Sequence, residues 1–229
     1  MKKTVFTFAF MAAISLFAAS PVLHYDFSQP VFVQGGKYKQ PIIPPTAKMT
    51  AKPQALQIFG KEELTVPNSA DFSLCDGGTI YAVVRFDEDG VKNNSHNAHD
   101  MVIFKNGGFL MGRNTGSLYF NVSGKGAWNC AVIAPGIKRK AWTALAVTVK
   151  KNGANNYTIK LFLDGKLAVT RAYKGMIKEK SSFPITFGRA RQFGYAWNMT
   201  GALGKVLLYK EALSDAEIAK MVSKESCLK

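Results

Sequence analysis

Apolar and polar residues alternate in short runs along most of the chain. Residues 79–86 read Thr-Ile-Tyr-Ala-Val-Val-Arg-Phe, with Ile80, Ala82 and Val84 on one side and Tyr81, Val83 and Arg85 on the other. A period of two sustained over such a run is the signature of a β-strand. Similar runs occupy residues 101–105, 108–113, 117–123, 128–134, 142–150, 157–163, 166–171, 185–188 and 202–209, with shorter ones at 23–28, 55–59 and 63–66. Turn residues punctuate them: Asn106-Gly107, Asn114-Thr115-Gly116, Gly124-Lys125-Gly126, Pro135-Gly136 and Asp164-Gly165. Asn-Gly and Asp-Gly supply the positive φ that a tight hairpin needs. Helical periodicity appears at the end of the chain, where Ser214 is placed to cap a helix and Glu217 stands three residues on, as in a capping box. About a dozen short strands and one terminal helix predict an all-β, two-sheet antiparallel sandwich. No helices alternate with the strands, which excludes a parallel α/β sheet.

Two stretches break the pattern. Residues 29–53 hold five prolines, Gly35-Gly36 and four lysines, and are expected to wrap the outside as loop and edge strand. Residues 87–100 form a polar loop. The first residues have another purpose. Lys2 and Lys3 precede an apolar run from Val5 to Phe17, and the small residues Ala18, Ala19 and Ser20 follow. This reads as a bacterial-type secretory signal, residues 1–20, ahead of one domain over residues 21–229. Cleavage after Ser20 would put Pro21 first; cleavage after Ala18 fits at least as well. The apolar run is too short for a transmembrane span, and no second one is long enough. The chain is therefore expected outside the cytoplasm, as a secreted, periplasmic or cell-surface protein.

Charge sharpens this picture. The net charge of +15 falls to +13 without Lys2 and Lys3. Residues 138–210 contain 15 basic residues and only two acidic ones, Asp164 and Glu179, so all the excess lies there. A one-sided basic field favours anionic partners, which outside a cell means sulfated or uronate glycans or an anionic surface. No nucleic-acid motif is visible. The three cysteines, Cys75, Cys130 and Cys227, suggest one disulfide and one leftover thiol in an exported protein, and their spacing matches no zinc site.

The order of several segments resembles the laminin-G-like jelly roll of the concanavalin A-like lectin/glucanase superfamily. The resemblance rests on Leu23-His24-Tyr25-Asp26-Phe27, on Leu64-Thr65-Val66-Pro67-Asn68-Ser69 followed by Phe72-Ser73-Leu74, and on Trp142-Thr143-Ala144-Leu145-Ala146-Val147-Thr148. It continues in Leu161-Phe162-Leu163-Asp164-Gly165, Thr186-Phe187-Gly188, and the closing series Gly201, Leu203, Val206, Tyr209, Ala212, Leu213, Ser214, Glu217 and Ile218. It covers nearly the whole chain after the signal. It implies the fold, with Trp142, Tyr209 and Leu213 as packing residues, but not the function, because this fold carries lectins, hydrolases and lyases alike. Many relatives have acidic residues where this chain has Gly204-Lys205. The resemblance further implies that Cys75 and Cys227 meet as a disulfide, leaving Cys130 free. Relatives often hold one structural calcium, for which Asp26, Asp71 and Asp76 are candidates; no other cofactor is implied.

Catalytic patterns are missing. The E-x-D-x-x-E strand of glucanases and the Q-x-H and Y-x-K-x-G-x-Y strands of alginate lyases do not occur. The acidic cluster Asp87-Glu88-Asp89 lies past a strand end and reads as a solvated loop, as does His96-Asn97-Ala98-His99-Asp100. The best candidate surface is the loop 189–198, with Arg189, Arg191, Gln192, Phe193, Tyr195, Trp197 and Asn198. Aromatic faces stack on sugar rings, and the forked donors of arginine suit carboxylate or sulfate. A second patch places Tyr119 and Asn121 on the face opposite Leu118, Phe120 and Val122. The leading reading is a secreted, non-catalytic domain that binds carbohydrate, with an anionic glycan as partner. The alternatives are a glycoside hydrolase or polysaccharide lyase, and an envelope protein with a structural or adhesive role.

Overall fold

A computed structural model of the chain describes residues 19–27, 33–35, 48–51, 53–60, 63–88, 99–124, 127–178, 181–192 and 195–228. The expected signal segment up to residue 18, most of 29–53 and the loop around His96 lie outside the described residues. In chain order the strands are β1 (Leu23–Asp26), β2 (Val33–Gly35), β3 (Lys48–Ala51), β4 (Gln54–Phe59), β5 (Leu64–Val66), β6 (Gly78–Phe86), β7 (His99–Lys105), β8 (Phe109–Asn114) and β9 (Ser117–Val122). They continue with β10 (Val132–Pro135), β11 (Trp142–Gly153), β12 (Asn156–Leu163), β13 (Lys166–Lys174), β14 (Ile185–Phe187), β15 (Arg189–Gln192), β16 (Tyr195–Asn198) and β17 (Thr200–Tyr209). One helix, α1 (Asp215–Val222), follows.

The strands make two antiparallel sheets. The larger runs β13-β12-β11-β6-β17-β1-β2, with β4 also pairing with β17 and β3 with β4; the smaller runs β10-β9-β8-β7-β14-β5. This is the expected sandwich. Its interior takes one face of each strand: Ile80, Ala82 and Val84 from β6, Leu145, Val147 and Val149 from β11, and Phe109, Met111, Leu118, Phe120 and Val122 from the smaller sheet. Alternation sends Tyr81, Val83, Ala144, Ala146 and Phe162 the other way, where a second apolar cluster receives Leu213 and Ile218 from the α1 region. The central strands of the larger sheet are thus buried on both faces. Tyr209 and Leu213 pin the helix there, as expected, and the capping box closes with the Ser214 N–H donating to Glu217 Oε2 at 2.7 Å.

Two irregularities keep the apolar residues facing inward. A register shift between Leu203 and Lys205 places both Leu203 and Val206 in the interior, and turns Lys205 outward. There its ammonium lies 2.9 Å from Glu225 and 3.3 Å from Asp26. The position where many relatives carry acids is therefore the positive centre of an ion-pair cluster that ties the C-terminus to β1. A second shift between Met101 and Ile103 sends Val102 and Ile103 inward, but Met101 and Phe104 outward. At the β12–β13 turn Asp164 and Gly165 have φ of +48° and +80°, which explains the Asp-Gly sequence.

Several expectations are corrected. Cys75 and Cys227 do not pair; all three cysteines are free thiols. The reason is topological. Cys75 belongs to the core between the sheets, whereas Cys227 packs with the helix on the far side of the larger sheet. Residues 189–198 form a hairpin rather than a loop. His99 and Asp100 open β7 rather than ending a loop, and the strand expected from Trp128 begins at Val132. Asp26, Asp71 and Asp76 each lie against a lysine, Lys205, Lys210 and Lys151, which leaves them unsuited to share one calcium. No group of three or more His, Cys, Asp or Glu side chains with metal-binding geometry occurs among the described residues.

Two measurements check this architecture. Protein unfolded without reductant should react with an alkylating reagent at all three cysteines, and a Cys75–Cys227 peptide in a non-reducing digest would contradict the topology. Lys105 supplies the other. It is 3% exposed, donates to Asn68 Oδ1 at 2.7 Å, and burial pushes its pKa down to about 8. The unfolded chain keeps that proton up to the ordinary lysine value, so folding releases it between about pH 8 and the ordinary value, and stability rises with pH across that window. Between pH 8 and 9 the wild type should gain about 1 kcal/mol relative to Lys105→Met, measured by urea unfolding.

Candidate functional site

The outer face of the smaller sheet carries an aromatic trough. Strand pairing sets its grid. Phe104 of β7 pairs with Leu110, which pairs with Asn121; Met101 pairs with Gly112, then Tyr119, then Ile133; His99 pairs with Asn114, then Ser117. All these positions face away from the interior. The β15–β16 hairpin folds back over β7, with buried Ala190 and half-buried Trp197 packed on Met101, Phe104 and Leu110. It covers β7 and Leu110 of β8 and, among the described residues, leaves Tyr119 of β9 half-buried and Ile133 of β10 exposed.

Aromatic side chains border the open part. His99 lies 4.8 Å from the Tyr119 ring and 5.4 Å, edge to face, from the Trp197 ring. Trp128 packs 6.0 Å from Phe104 on the other border. Gly112, the partner of Tyr119, is buried, because the Asp100 carbonyl oxygen of β7 occupies the space its Cβ would take. Ile133 stands 49% exposed beside Tyr119. The trough is thus lined by half-buried rings with a polar edge, the composition that recognises sugar rings.

Two hydrogen-bonded groups hold the floor. Asn121 is buried; its Oδ1 accepts from the Cys130 N–H at 3.0 Å and its Nδ2 donates to the Tyr119 hydroxyl oxygen at 3.1 Å. Asn121 therefore orients Tyr119 rather than facing solvent. Beneath the floor, Arg113 and Asp100 form an ion pair of 3.0 Å, 5% and 1% exposed, with the guanidinium 5.8 Å from the Phe86 ring. This pair locks β7 to β8 next to the position where His99 meets Asn114.

The two separate patches read from the sequence, Tyr119 with Asn121 and the 189–198 segment with Trp197, become one surface, and His99 is the link. Sequence reasoning passed over His99 because it assigned it to a loop; the signal that would have found it is the extension of β7 alternation through Met101 back to His99. Trp128 was likewise assigned only to a strand. Arg191 is 65% exposed and pairs with Glu63 at 3.3 Å. The Nε1 of Trp197 and the Oδ1 of Asn198 are buried without a hydrogen-bond partner. Arg189 begins the hairpin at the register of Asn198. Phe193 and the side chains of Gln192 and Tyr195 lie outside the described residues.

A family model for laminin-G domains of the concanavalin A-like lectin/glucanases superfamily matches residues 60–219. The chain belongs to this family. Among curated proteins no sequence match is found. Solved structures of similar fold include the receptor binding domain of the botulinum neurotoxin C/D mosaic serotype, with a TM-score of 0.69 and 15% identity over 90% of this chain and 51% of that one. The binding domain of Paraclostridial Mosquitocidal Protein 1 gives 0.66 and 13% over 88% and 51%. A structure of botulinum neurotoxin type C, whose cell entry depends on interaction with two ganglioside molecules, gives 0.65 and 14% over 89% and 51%. Identities this low establish the shared fold, and the chain spans about half the length of these structures.

The buried pair under the trough is open to test. Asp100→Asn removes the counter-charge of a buried guanidinium and should cost about 3–5 kcal/mol in thermal or urea unfolding. A cost within that of an exposed substitution would show that the pair does not hold the floor.

Proposed function

We propose that the chain is an exported, non-catalytic carbohydrate-binding domain whose sugar site is the aromatic trough of the smaller sheet. The observation that carries this reading is the convergence of His99, Tyr119 and Trp197 on one border with Trp128 on the other. Flat apolar faces at the borders suit the C–H faces of a sugar, and the Tyr119 hydroxyl offers a polar atom to its edge. Export is supported by the signal-like opening of the sequence. The fold likeness to domains described as receptor-binding, one of them from a toxin that depends on gangliosides, is consistent with a glycan ligand.

Binding is favoured over hydrolysis by what occupies the trough. The outward positions of β7, β8, β9 and β10 are His99, Met101, Phe104, Leu110, Gly112, Asn114, Ser117, Tyr119, Asn121, Ile133 and Pro135, and none is a carboxylate. Asp100, the acid nearest in sequence, faces the interior in its pair with Arg113. A glycosidase needs two carboxyl groups across the scissile bond.

A glycan array probed with the purified domain should retain a defined set of sugars. Trp128→Ala and Tyr119→Ala should each weaken that binding about tenfold or more, as truncation of a central aromatic contact does, while leaving the melting temperature within a few degrees. Absence of any retained glycan, or alanine variants that bind like wild type, would sink the reading.

A further inference from the structure

An open cavity among the described residues lies on the opposite side of the molecule from the trough. It is an open groove of about 740 Å³ on the outer face of the larger sheet, between the β11–β12 end and the segment that leads into α1. Its floor follows from strand register. Thr79 of β6 pairs with Thr148 of β11, which pairs with Lys160 of β12, which pairs with Thr170 of β13. The next row is Lys150, Thr158 and Ala172, and beyond it Asn156 stands beside Lys174. Their neighbours in sequence, Val147, Val149, Tyr157, Ile159 and Tyr173, fill the interior, so this set faces out. Of this outward set Thr148, Lys150, Thr158 and Lys160 line the groove, a lattice of lysine and threonine without a carboxylate.

The wall of the groove is fixed to that floor. The buried Thr79 hydroxyl donates to the Glu211 carbonyl at 2.7 Å and accepts from the Leu213 N–H at 2.9 Å. This holds residues 211–213 against the start of β6, with Ser214 and Asp215 beyond them. Lys151 and Lys210 complete the basic lining.

Three acids also line the groove, Asp76, Glu211 and Asp215, and two of them hold lysines. Lys151 meets Asp76 at 2.7 Å with the two side chains 39% and 79% exposed; Lys160 meets Asp215 at 2.7 Å with 31% and 48%. Pairs this exposed are worth little, so an anionic ligand can replace their acids at small cost. Lys150, also in the lining, is exposed and has no ion pair among the described residues.

We propose that this groove is a second, independent binding site, for a segment of anionic polysaccharide bearing repeated sulfate or carboxylate groups. Charge complementarity selects the sign, since the lattice belongs to the segment that holds all the excess positive charge. The groove shape selects a chain over a flat surface. None of the exposed large apolar side chains, Met49, Phe59, Ile133, Leu167, Met176 or Phe183, lines it, so nothing is placed to enter a lipid layer. The Thr158 hydroxyl, half-buried and accepting from Asn152 Nδ2 at 2.8 Å, can donate to a ring oxygen or hydroxyl of a sugar chain.

Binding of the full chain to dextran sulfate and to polygalacturonate, with neutral dextran as control, tests this by calorimetry at rising salt. Wild type should bind at least one polyanion, with affinity that falls as salt rises. Lys150→Gln with Lys160→Gln should weaken it by about tenfold or more, the loss expected for charge-assisted hydrogen bonds. Asp215→Asn frees Lys160 while keeping the Ser214–Glu217 cap, and should strengthen binding several-fold. Trp128→Ala should leave polyanion binding unchanged, which separates this site from the trough. The site is ruled out if neither polyanion binds, if the lysine variant binds like wild type at an unchanged melting temperature, or if Trp128→Ala abolishes the binding instead. Tighter binding to phosphatidylserine vesicles or to a DNA duplex than to either polysaccharide would assign the groove to another class of partner and overturn the proposal.

Discussion

The ladder between β6 and β17 at the centre of the larger sheet must be buried on both faces, and the rest of the architecture follows from that. On the inner side Ile80, Ala82 and Val84 meet the smaller sheet with Leu203, Val206 and Leu208. On the outer side Tyr81, Val83, Leu207 and Tyr209 are equally apolar and would face water without a cover. Helix α1 and the segment leading into it supply it through Ile218 and Leu213. The register shift at Gly204 is what allows one strand to serve both faces, since without it either Leu203 or Val206 would point outward. The Lys205 cluster then closes the end of this cover by drawing Glu225 onto the sheet, where the Tyr81 hydroxyl also donates to Glu225 at 3.2 Å.

The smaller sheet solves the same problem in a different way. Its outer face is apolar and buried along β7 and β8, at Met101, Phe104 and Leu110, and the β15–β16 hairpin folds onto that part. Neither cover extends over a whole sheet. Among the described residues each sheet therefore has an open part, and the two lie on opposite sides of the sandwich. One is edged by rings and suits stacking; the other is studded with ammonium groups and suits anions. A domain whose core is shared by all its relatives can acquire distinct ligands by changing only the residues of these open parts.

Much of the fold was legible in the sequence because alternation and turn chemistry are local. The alternation in residues 79–86, the Asp164-Gly165 turn and the Ser214–Glu217 cap are all where their residues indicate. What local pattern does not carry is the third dimension. The Cys75–Cys227 pairing fails because the larger sheet stands between the two residues, and only topology says on which side each packs. The trough was read as two patches because residues 189–198 lack clear alternation and looked like a loop; their strand character comes from pairing with each other and resting on β7. His99 was lost because a register shift two residues later breaks the period that would have extended the strand back to it.

Where the helix stops is nonetheless written along single strands. Read outward positions only, and β11 runs Trp142, Ala144, Ala146, Thr148, Lys150, while β12 runs Phe162, Lys160, Thr158, Asn156. The row formed by Tyr81, Ala146 and Phe162 is apolar and lies under the helix; the adjacent row formed by Thr79, Thr148 and Lys160 is polar. The change takes place within one step of the ladder. Burying Lys160 under a longer helix would leave an ammonium without water, whereas exposing Phe162 would forfeit roughly 2 kcal/mol of apolar burial, so both rows favour the same boundary. The open groove is thus not a gap left by a short helix. It is the half of the sheet whose residues require water or an anion in place of a cover.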